Sequence, residues 1–500
     1  MGHIKLASRM SVGLKKSPPT IQSRFFSSKD VKNDATDRIT QFAMLVEKDL
    51  PSSAALKDIL NGVWKNEVVT SQCPDLIIRL TSLRGQVSKR IWERKGNNPD
   101  DIQILAVGTV AIPHHLNSYH NFLQNFWKNT EKYANEARTA KGNDYEVGYD
   151  LLSKGSDQAR DSVLKLWNEH YGFPEQHLKS CVANSAIISG GMRGLKDIAD
   201  GLILRAKADN APHRFVQPDN SFGTWWNIIE RPEKNDSFRR QIFTVAARPE
   251  NKLHLTAEDV DKHYKSNPAV PYESWYITPV GNPSGTAMTK EQLKSTCQRI
   301  LQHNPKAVIV LDVVYVRTMS RDDAKNLMSG VVNDSNILDR VVFLESFSKS
   351  HGLCRERIGM YFSTNEKLFT TIHASNIAFS AGPGHHKDYQ FLALGNSSAA
   401  DKKATDELHE FWQRERKGLY KFLMSSKNKH LFDENQIHIR PEDIDRPCTL
   451  YILMKTRDGV KAQDIFMNTG ILGVDTPMLS GHYVRFSLGT LLNPAFSKYL

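Results

Sequence analysis

Between about residues 185 and 365 the chain alternates short, unbroken apolar runs with helical stretches, and few architectures satisfy both patterns at once. The runs are HRFVQP, QIFTVAA, SWYITPV, AVIVLDVVY, RVVFLESFS and RIGMYFS. Several lack the polar–apolar alternation of a half-exposed strand, which marks strands covered on both faces. Of the stretches between them, GMRGLKDIADGLILRAKA follows a Gly-Gly turn, and TKEQLKSTCQRILQH opens with Thr289 and Gln292 at capping-box spacing. Strand–helix alternation of this kind predicts an α/β fold built on a mostly parallel, doubly wound sheet.

The flanks have a different texture. From about 38 to 135 the pattern is mainly helical, with Trp92 and Trp127 expected on buried faces, and DYEVGYDLLSKGSDQARDSVLKLWNEHYGF then joins a Gly/Ser turn to an amphipathic helix. After about 390 the chain is helical again (AADKKATDELHEFWQRERKGLYKFLMSS) and closes with short strands around TLYILMK and YVRFSLG. A second, smaller α/β domain built from both chain ends accounts for these flanks. The expected divisions are a basic leader over 1–29, a helical region over 38–144 that forms part of the small domain or an extension, a large domain over 145–380 and a C-terminal small domain over 390–500.

The net charge of +11 raises the question of nucleic acid. The basic residues are scattered, however, and no dense Lys/Arg block or nucleic-acid motif stands in its proper context. Much of the excess lies in the leader, where Lys5, Arg9, Lys15, Lys16, Arg24 and Lys29 precede the first acidic residue, Asp30. A basic, acid-free, Ser-rich leader has the composition of an organelle transit peptide. A disordered basic tail has it too, so the expected location is the mitochondrial matrix or the cytoplasm. No apolar run reaches the roughly 18 residues that a membrane span needs, and no membrane partner is expected. The cysteines, Cys73, Cys181, Cys297, Cys354 and Cys448, are odd in number and lack C-x-x-C spacing. A disulfide framework or zinc site is therefore not expected. His114, His115 and His120 have no Asp or Glu at ligand spacing, and His385 and His386 are expected in a loop.

In open parallel sheets, ligands collect at the carboxyl ends of the strands. AVIVLDVVY delivers Asp312 and Tyr315 there, provided that the chain bends after Asp312, since residues three apart face opposite sides of a regular strand. RVVFLESFSKSHGLCRERIG delivers Ser346, Ser348 and Lys349, with Arg357 eight residues beyond the lysine. Hydroxyls and an arginine fork suit a phosphate dianion, and a lysine amine forms Schiff bases. SWYITPVGNPSGTAMT places Asn282 in a tight turn, where its amide is available to a ligand oxygen. In AIISGGMRGL, a Gly-Gly turn enters a helix whose first amides, on Gly191 and Met192, favour an anion. Each piece also has an ordinary explanation as a turn, a helix cap or a solvated surface.

Taken in order, Gly-Gly–helix, aromatic, N-P-x-G, D-x-x-Y, S-x-S-K, Arg at Lys+8 and Y-x-R-F-S resemble the fold-type I, class I and II aminotransferases over about 145–490. SFSKSHGLCRERIG is similar to the lysine loop of the aspartate and aromatic members. The resemblance implies pyridoxal 5′-phosphate, carried by the large domain as an aldimine on Lys349, which then shuttles the substrate's α-proton. It implies that Asp312 pairs with the pyridine nitrogen, that Tyr315 and Asn282 hydrogen-bond the phenolic oxygen, and that Ser346, Arg357 and the Gly191 and Met192 amides hold the phosphate. Phe222 is implied as the aromatic stacked on the ring, with Trp225 as the substitute. Arg485 is implied to clamp the substrate carboxylate, and Tyr149 to reach the phosphate of a partner subunit in a homodimer. The implied substrates are an amino acid and a 2-oxo acid.

The sequence departs from the family pattern in two places. Arg355 stands where the family often has glycine, two residues before the phosphate arginine. Asn376, in ASNIAFSAGPGHH, falls where dicarboxylate-specific members carry arginine, which points to a neutral or unusual substrate side chain. A decarboxylase, lyase or synthase would share the same cofactor residues, because fold does not fix reaction. A non-catalytic binding protein is the third class, and the intact set of site residues argues against it.

Overall fold

The computed structural model describes residues 92–500 except 94–95, 99–100, 107, 142–152, 222–224, 226–227, 230–239, 381–383, 434–438 and 446–447. The leader, most of the 38–144 region, Tyr149 and Phe222 lie outside the described residues.

The apolar runs form the strands expected of them. They are β3 (His213–Pro218), β4 (Arg240–Val245), β5 (Glu273–Ile277), β6 (Val308–Asp312), β7 (Val341–Ser346) and β8 (Gly359–Phe362), with β1 (Gln103–Ile104) and β2 (Ser185–Ile188) ahead of them. The large sheet runs β2-β8-β7-β6-β5-β3-β4, and only β8 is antiparallel to its neighbours. Period-two alternation divides each central strand between two layers. Val308, Val310, Val342 and Leu344 face one cluster with Leu195, Ile198, Leu202 and Ile372. Ile309, Leu311, Val341 and Phe343 face the other, with Trp167, Leu293 and Leu327. Covering both faces is what makes the strand sequences apolar throughout.

The helices that position the site are α1 (Asn117–Lys141), α2 (Asp157–Tyr171), α3 (Gly191–Ala208), α4 (Lys290–His303), α5 (Phe347–Ser350), α6 (Glu366–Ser380), α7 (His385–Gly395) and α8 (Ala399–Leu423). Their starts follow local chemistry. Ser156 accepts from the Ala159 amide at the head of α2, and Thr289 accepts from the Gln292 amide at the head of α4. Ser398 and Asp401 close a reciprocal capping box on α8. Gly172, in the left-handed conformation at φ 68°, ends α2.

Beyond α8 come β9 (Tyr451–Lys455), β10 (Ile471–Leu472), β11 (Val474–Met478) and β12 (Gly481–Ser487). Antiparallel β11-β12-β9 form a second sheet, and β10 pairs in parallel with β1. The Leu105 amide donates to Leu472 O, Ser487 donates to Leu105 O, and Ala111 donates to Gly489 O. Early and late segments are thus joined by backbone hydrogen bonds, as a smaller unit drawn from both ends requires.

Two local expectations are corrected. Trp127 is 51% exposed. The buried stripe of α1 runs Tyr119, Phe122, Leu123, Phe126, Thr130 and Ala134, and Trp127 lies one residue, about 100° of helix turn, off it. His385 and His386 open α7 rather than sitting in a loop. Among the described residues no helix is long and apolar enough to cross a membrane.

Candidate functional site

Strand phase sets up the site. Asp312 ends β6 on the same face as Val308 and Val310, and Ser346 ends β7 in phase with Val342 and Leu344. After Asp312 the chain leaves the strand in a turn closed by the Val316 amide on the Val313 carbonyl at 2.9 Å, ahead of a 3₁₀ turn over Val316–Thr318, and this bend lets Tyr315 face the same region. After Ser346 it enters the single turn of α5, which carries Lys349.

One part of the site is an anion cradle. Gly190 (φ +83°) hands the chain from β2 into α3, whose first amides, on Gly191 and Met192, have no acceptor within the helix. A Cβ on Gly190 would lie 2.5 Å from Arg357 Nη2, and one on Gly191 would lie 3.7 Å from Ser346 Cβ. The turn, the serine and the arginine therefore close on one spot. The protein acceptor for Arg357 among the described residues is the Cys354 carbonyl, 3.2 Å from Nη1. Arg357 itself holds a left-handed backbone (φ 52°), rare for a residue with a side chain. Ser346 Oγ donates to Ile358 O at 2.8 Å and lies 2.9 Å from Ser348 Oγ. Arg355 is exposed, so the bulky cation of the first departure points to solvent.

The second part is a buried polar ring. Arg485, on β12, donates from Nη1 to Asn282 Oδ1 at 3.0 Å. Asn282 Nδ2 donates to the Tyr315 hydroxyl at 3.2 Å. Tyr315 Oη lies 2.9 Å from the hydroxyl of Tyr451, and the Arg485 guanidinium sits 5.0 Å above the Tyr451 ring. Arg485 Nε is buried without an acceptor among the described residues, an arrangement that suits a bound anion. Burial, reinforced by Tyr451, holds the Tyr315 hydroxyl well above the usual phenol range, so it is a protonated donor at neutral pH.

Lys349 links the two parts. Its Nζ donates to the carbonyl of Gly108, from the N-terminal segment, and lies 3.8 Å from Cys354 Sγ. Gly108 also borders the ring, because a Cβ there would lie 3.1 Å from the Tyr451 hydroxyl. Asp312 is buried beneath, accepting from Tyr276 Oη at 2.6 Å and from the Val314 amide at 3.2 Å. Burial pushes its carboxyl up to about 6, against the lowering effect of those two hydrogen bonds. No Lys, Arg or His among the described residues forms an ion pair with it. It is a buried acid that lacks a cation.

The structure thus brings Gly191, Met192, Asn282, Asp312, Tyr315, Ser346, Lys349, Arg357 and Arg485 to one region. Trp225, the substitute for Phe222, has a different task. It is fully buried in the core, stacked on Tyr276 at 5.1 Å between ring centroids. Asn376 is buried in α6, where its amide serves the Tyr361 hydroxyl on β8. It is thereby committed to helix–sheet packing. Sequence reasoning missed Gly108, Tyr276 and Tyr451. Only strand phase held a signal: Tyr276 pairs with Val310, two residues before Asp312, and so shares its face.

A pyridine ring bearing a phosphate and an aldehyde fits this donor set: the cradle for the phosphate, an amine for the aldehyde, and a buried carboxylate without a counter-charge for the ring nitrogen. Comparison with known proteins points the same way. Residues 235–437 match the family Aminotransferase class I and II. A curated relative, the histidinol-phosphate aminotransferase of Bacillus pumilus, is 30% identical over 125 residues, or 24% of this chain and 32% of that protein. The chain spans 32% to 56% of the length of the curated relatives it matches. Among solved structures, the aromatic aminotransferase of Pyrococcus horikoshii superposes with a TM-score of 0.59 at 15% identity, over 80% of this chain and 94% of that one. The Thermus thermophilus aspartate aminotransferase with maleate gives 0.57 at 14% identity, over 84% and 96%. At such identity the likeness speaks for the fold. The matched stretch holds Asn282, Asp312, Tyr315, Ser346, Lys349 and Arg357 in one order, on the strand ends where that fold gathers its ligands, and over residues 235–437 the chain matches the class I and II aminotransferases, a family that uses pyridoxal 5′-phosphate.

Proposed function

We propose that this chain is a pyridoxal-phosphate-dependent aminotransferase that moves an amino group from an amino acid to a 2-oxo acid. The observation that carries this reading is Asp312, a buried carboxylate without a cation, one strand away from an anion cradle and the amine of Lys349. When bound, the cofactor supplies an electron sink for the substrate carbanion. The protein supplies position and charge. Arg357, Ser346 and the Gly191 and Met192 amides hold the phosphate, and Asp312 stabilises a proton on the ring nitrogen. Asn282 and Tyr315 hold the phenolic oxygen. Arg485 binds an anionic group next to the amine-bearing carbon. Lys349 Nζ takes the proton from that carbon and delivers it again, a role worth about 10²–10⁴-fold for a positioned base.

The matched relatives are named for different substrates: histidinol phosphate, aspartate and aromatic compounds. Pairing of two copies, with Tyr149 reaching its partner's phosphate, belongs to the same proposal.

The test is the visible spectrum of purified protein with pyridoxal phosphate, for wild type and Lys349→Ala, before and after a panel of amino acids and histidinol phosphate. Wild type should be yellow, and an effective donor alone should bleach it stoichiometrically. Lys349→Ala should lose more than about 10⁴-fold of turnover, since it removes both the base and the covalent anchor. A band identical in both proteins, or absent from both, would refute the assignment. A donor that is consumed while the band persists would indicate decarboxylation or elimination instead.

A further inference from the structure

The ring around Asn282 has a direction that its members impose. Arg485 has donors only, so Asn282 Oδ1 must accept from it, and this fixes the amide with Nδ2 as the donor to Tyr315. Tyr315 then has one lone pair and its own proton uncommitted. The pair Tyr315–Tyr451 can share only one hydroxyl proton at 2.9 Å, which leaves one proton over. Tyr451 is 1% exposed and has no other hydrogen-bond acceptor among the described residues, whereas Tyr315 is 7% exposed beside Asn282 and Arg485. The spare proton is satisfied by a ligand only if it sits on Tyr315. Tyr451 must therefore donate, and Tyr315 accepts twice while its own O–H points into the site. Accepting two hydrogen bonds polarises Tyr315 and makes it the stronger donor.

Tyr451 has a second contact. Its ring face carries the Arg485 guanidinium at 5.0 Å, and Arg485 is the group assigned to the substrate anion. Tyr451 lies on β9, in register with Ser487 on β12, so both contacts come from the small sheet. We infer that Tyr451 is a positioning residue: its hydroxyl directs the Tyr315 proton onto the phenolic oxygen of the bound cofactor, and its ring orients Arg485 for the substrate anion. This inference rests on the aminotransferase reading. A donor to a phenolic oxygen favours the deprotonated form, so Tyr451 lowers the pH at which the bound chromophore loses its proton.

The experiment is a pH titration of the visible band of the loaded protein, with kcat and KM for the donor found above. It compares wild type, Tyr451→Phe, Tyr451→Leu, Tyr315→Phe and the Tyr315→Phe/Tyr451→Phe double variant. Tyr451→Phe keeps the ring and loses the hydroxyl. Its midpoint should rise by about one pH unit, the worth of one hydrogen bond, with KM within about twofold of wild type. Tyr451→Leu loses both contacts, and its KM should also rise about fivefold as the stacked guanidinium is released. Because the hydroxyl acts through Tyr315, the double variant should titrate like Tyr315→Phe alone. A Tyr451→Phe midpoint equal to wild type would overturn the inference and leave the aminotransferase reading standing, as would a further shift in the double variant. A wild type without a visible band would remove both. A purely structural role would lower Tm in the variants and leave the midpoint where wild type has it.

Discussion

At Gly190 two demands meet on one atom position. The backbone sits at φ +83°, which residues with side chains adopt at a cost, and the space a Cβ needs is taken by the Arg357 guanidinium at 2.5 Å. Gly190→Ala should therefore push the arginine out of the cradle while leaving the core of the sheet untouched. The expected result is a loss of at least about tenfold in affinity for pyridoxal phosphate, the worth of one displaced charge-assisted contact, with far-UV circular dichroism unchanged. Undiminished affinity in a titration of the cofactor-free protein would show that Arg357 does not hold the phosphate from this position. Asp312 makes the complementary point. Its residue type was legible at a strand end, but its hydrogen bond to Tyr276 needed the register of β5 against β6.

At the scale of elements, α3 must serve two ends. Its first turn faces the cradle, and its middle packs on α6, where a Cβ on Gly201 would come within 2.5 Å of the Ile372 Cα and 2.7 Å of its carbonyl oxygen. Those are backbone atoms, which cannot rotate aside. Gly201→Ala gains helix propensity of roughly 1 kcal/mol yet forces the two helices apart, at about 1–3 kcal/mol or more for an overpacked core. The expected outcome is a net fall in the urea midpoint with an unchanged slope, and weaker cofactor binding because the helix N-terminus moves with its body. A midpoint at or above that of wild type would show that the α3–α6 contact adjusts freely. Helix type and limits were readable from GMRGLKDIADGLILRAKA, but the reason for a mid-helix glycine was not, because Ile372 lies in another helix far along the chain.

For the whole molecule, the buried titratable groups set the pH range of stability. Burial, joined at several of them by nearby cations, holds His170 at about 2, His213 at about 3, and His254, His263 and His409 at about 4. As pH falls below 6.5 the unfolded chain takes up protons at these imidazoles, and at His351, which burial also holds well below its ordinary value, that the folded chain refuses, so stability falls on acidification. Asp312 and Glu345 act with the opposite sign. Burial raises them from 3.8 to about 6 and from 4.5 to about 8, so in those windows the folded chain keeps protons that the unfolded chain has lost, and stability falls as pH rises. Near pH 5 the lowered imidazoles outnumber the raised acids, so the unfolded chain carries more protons. Only above about pH 7, where free imidazoles are mostly neutral, does Glu345 outweigh them. The cofactor-free protein should be most stable near about pH 7, losing stability steeply towards pH 5 and gently towards pH 8, and Glu345→Gln should flatten the alkaline side. Urea midpoints across this range check both limbs, and a midpoint that rose between pH 6 and 5 would contradict the histidine assignment.

The sequence by itself determined the strands, the helices, their mostly parallel order and the residue types that emerge at the strand ends. Those properties depend on periodicity and on local caps and turns, which neighbours in sequence decide. It also placed Lys349, Asp312, Tyr315, Asn282, Ser346, Arg357 and Arg485 in one candidate site. Only the tertiary structure decided that the Gly108 carbonyl meets Lys349, that Tyr451 joins Tyr315 to Arg485, that Trp225 supports Tyr276 from within the core, and that Asn376 packs beneath the sheet. Each of those contacts joins segments far apart in the chain, and the pattern within one segment carries no information about which distant segment will be packed against it.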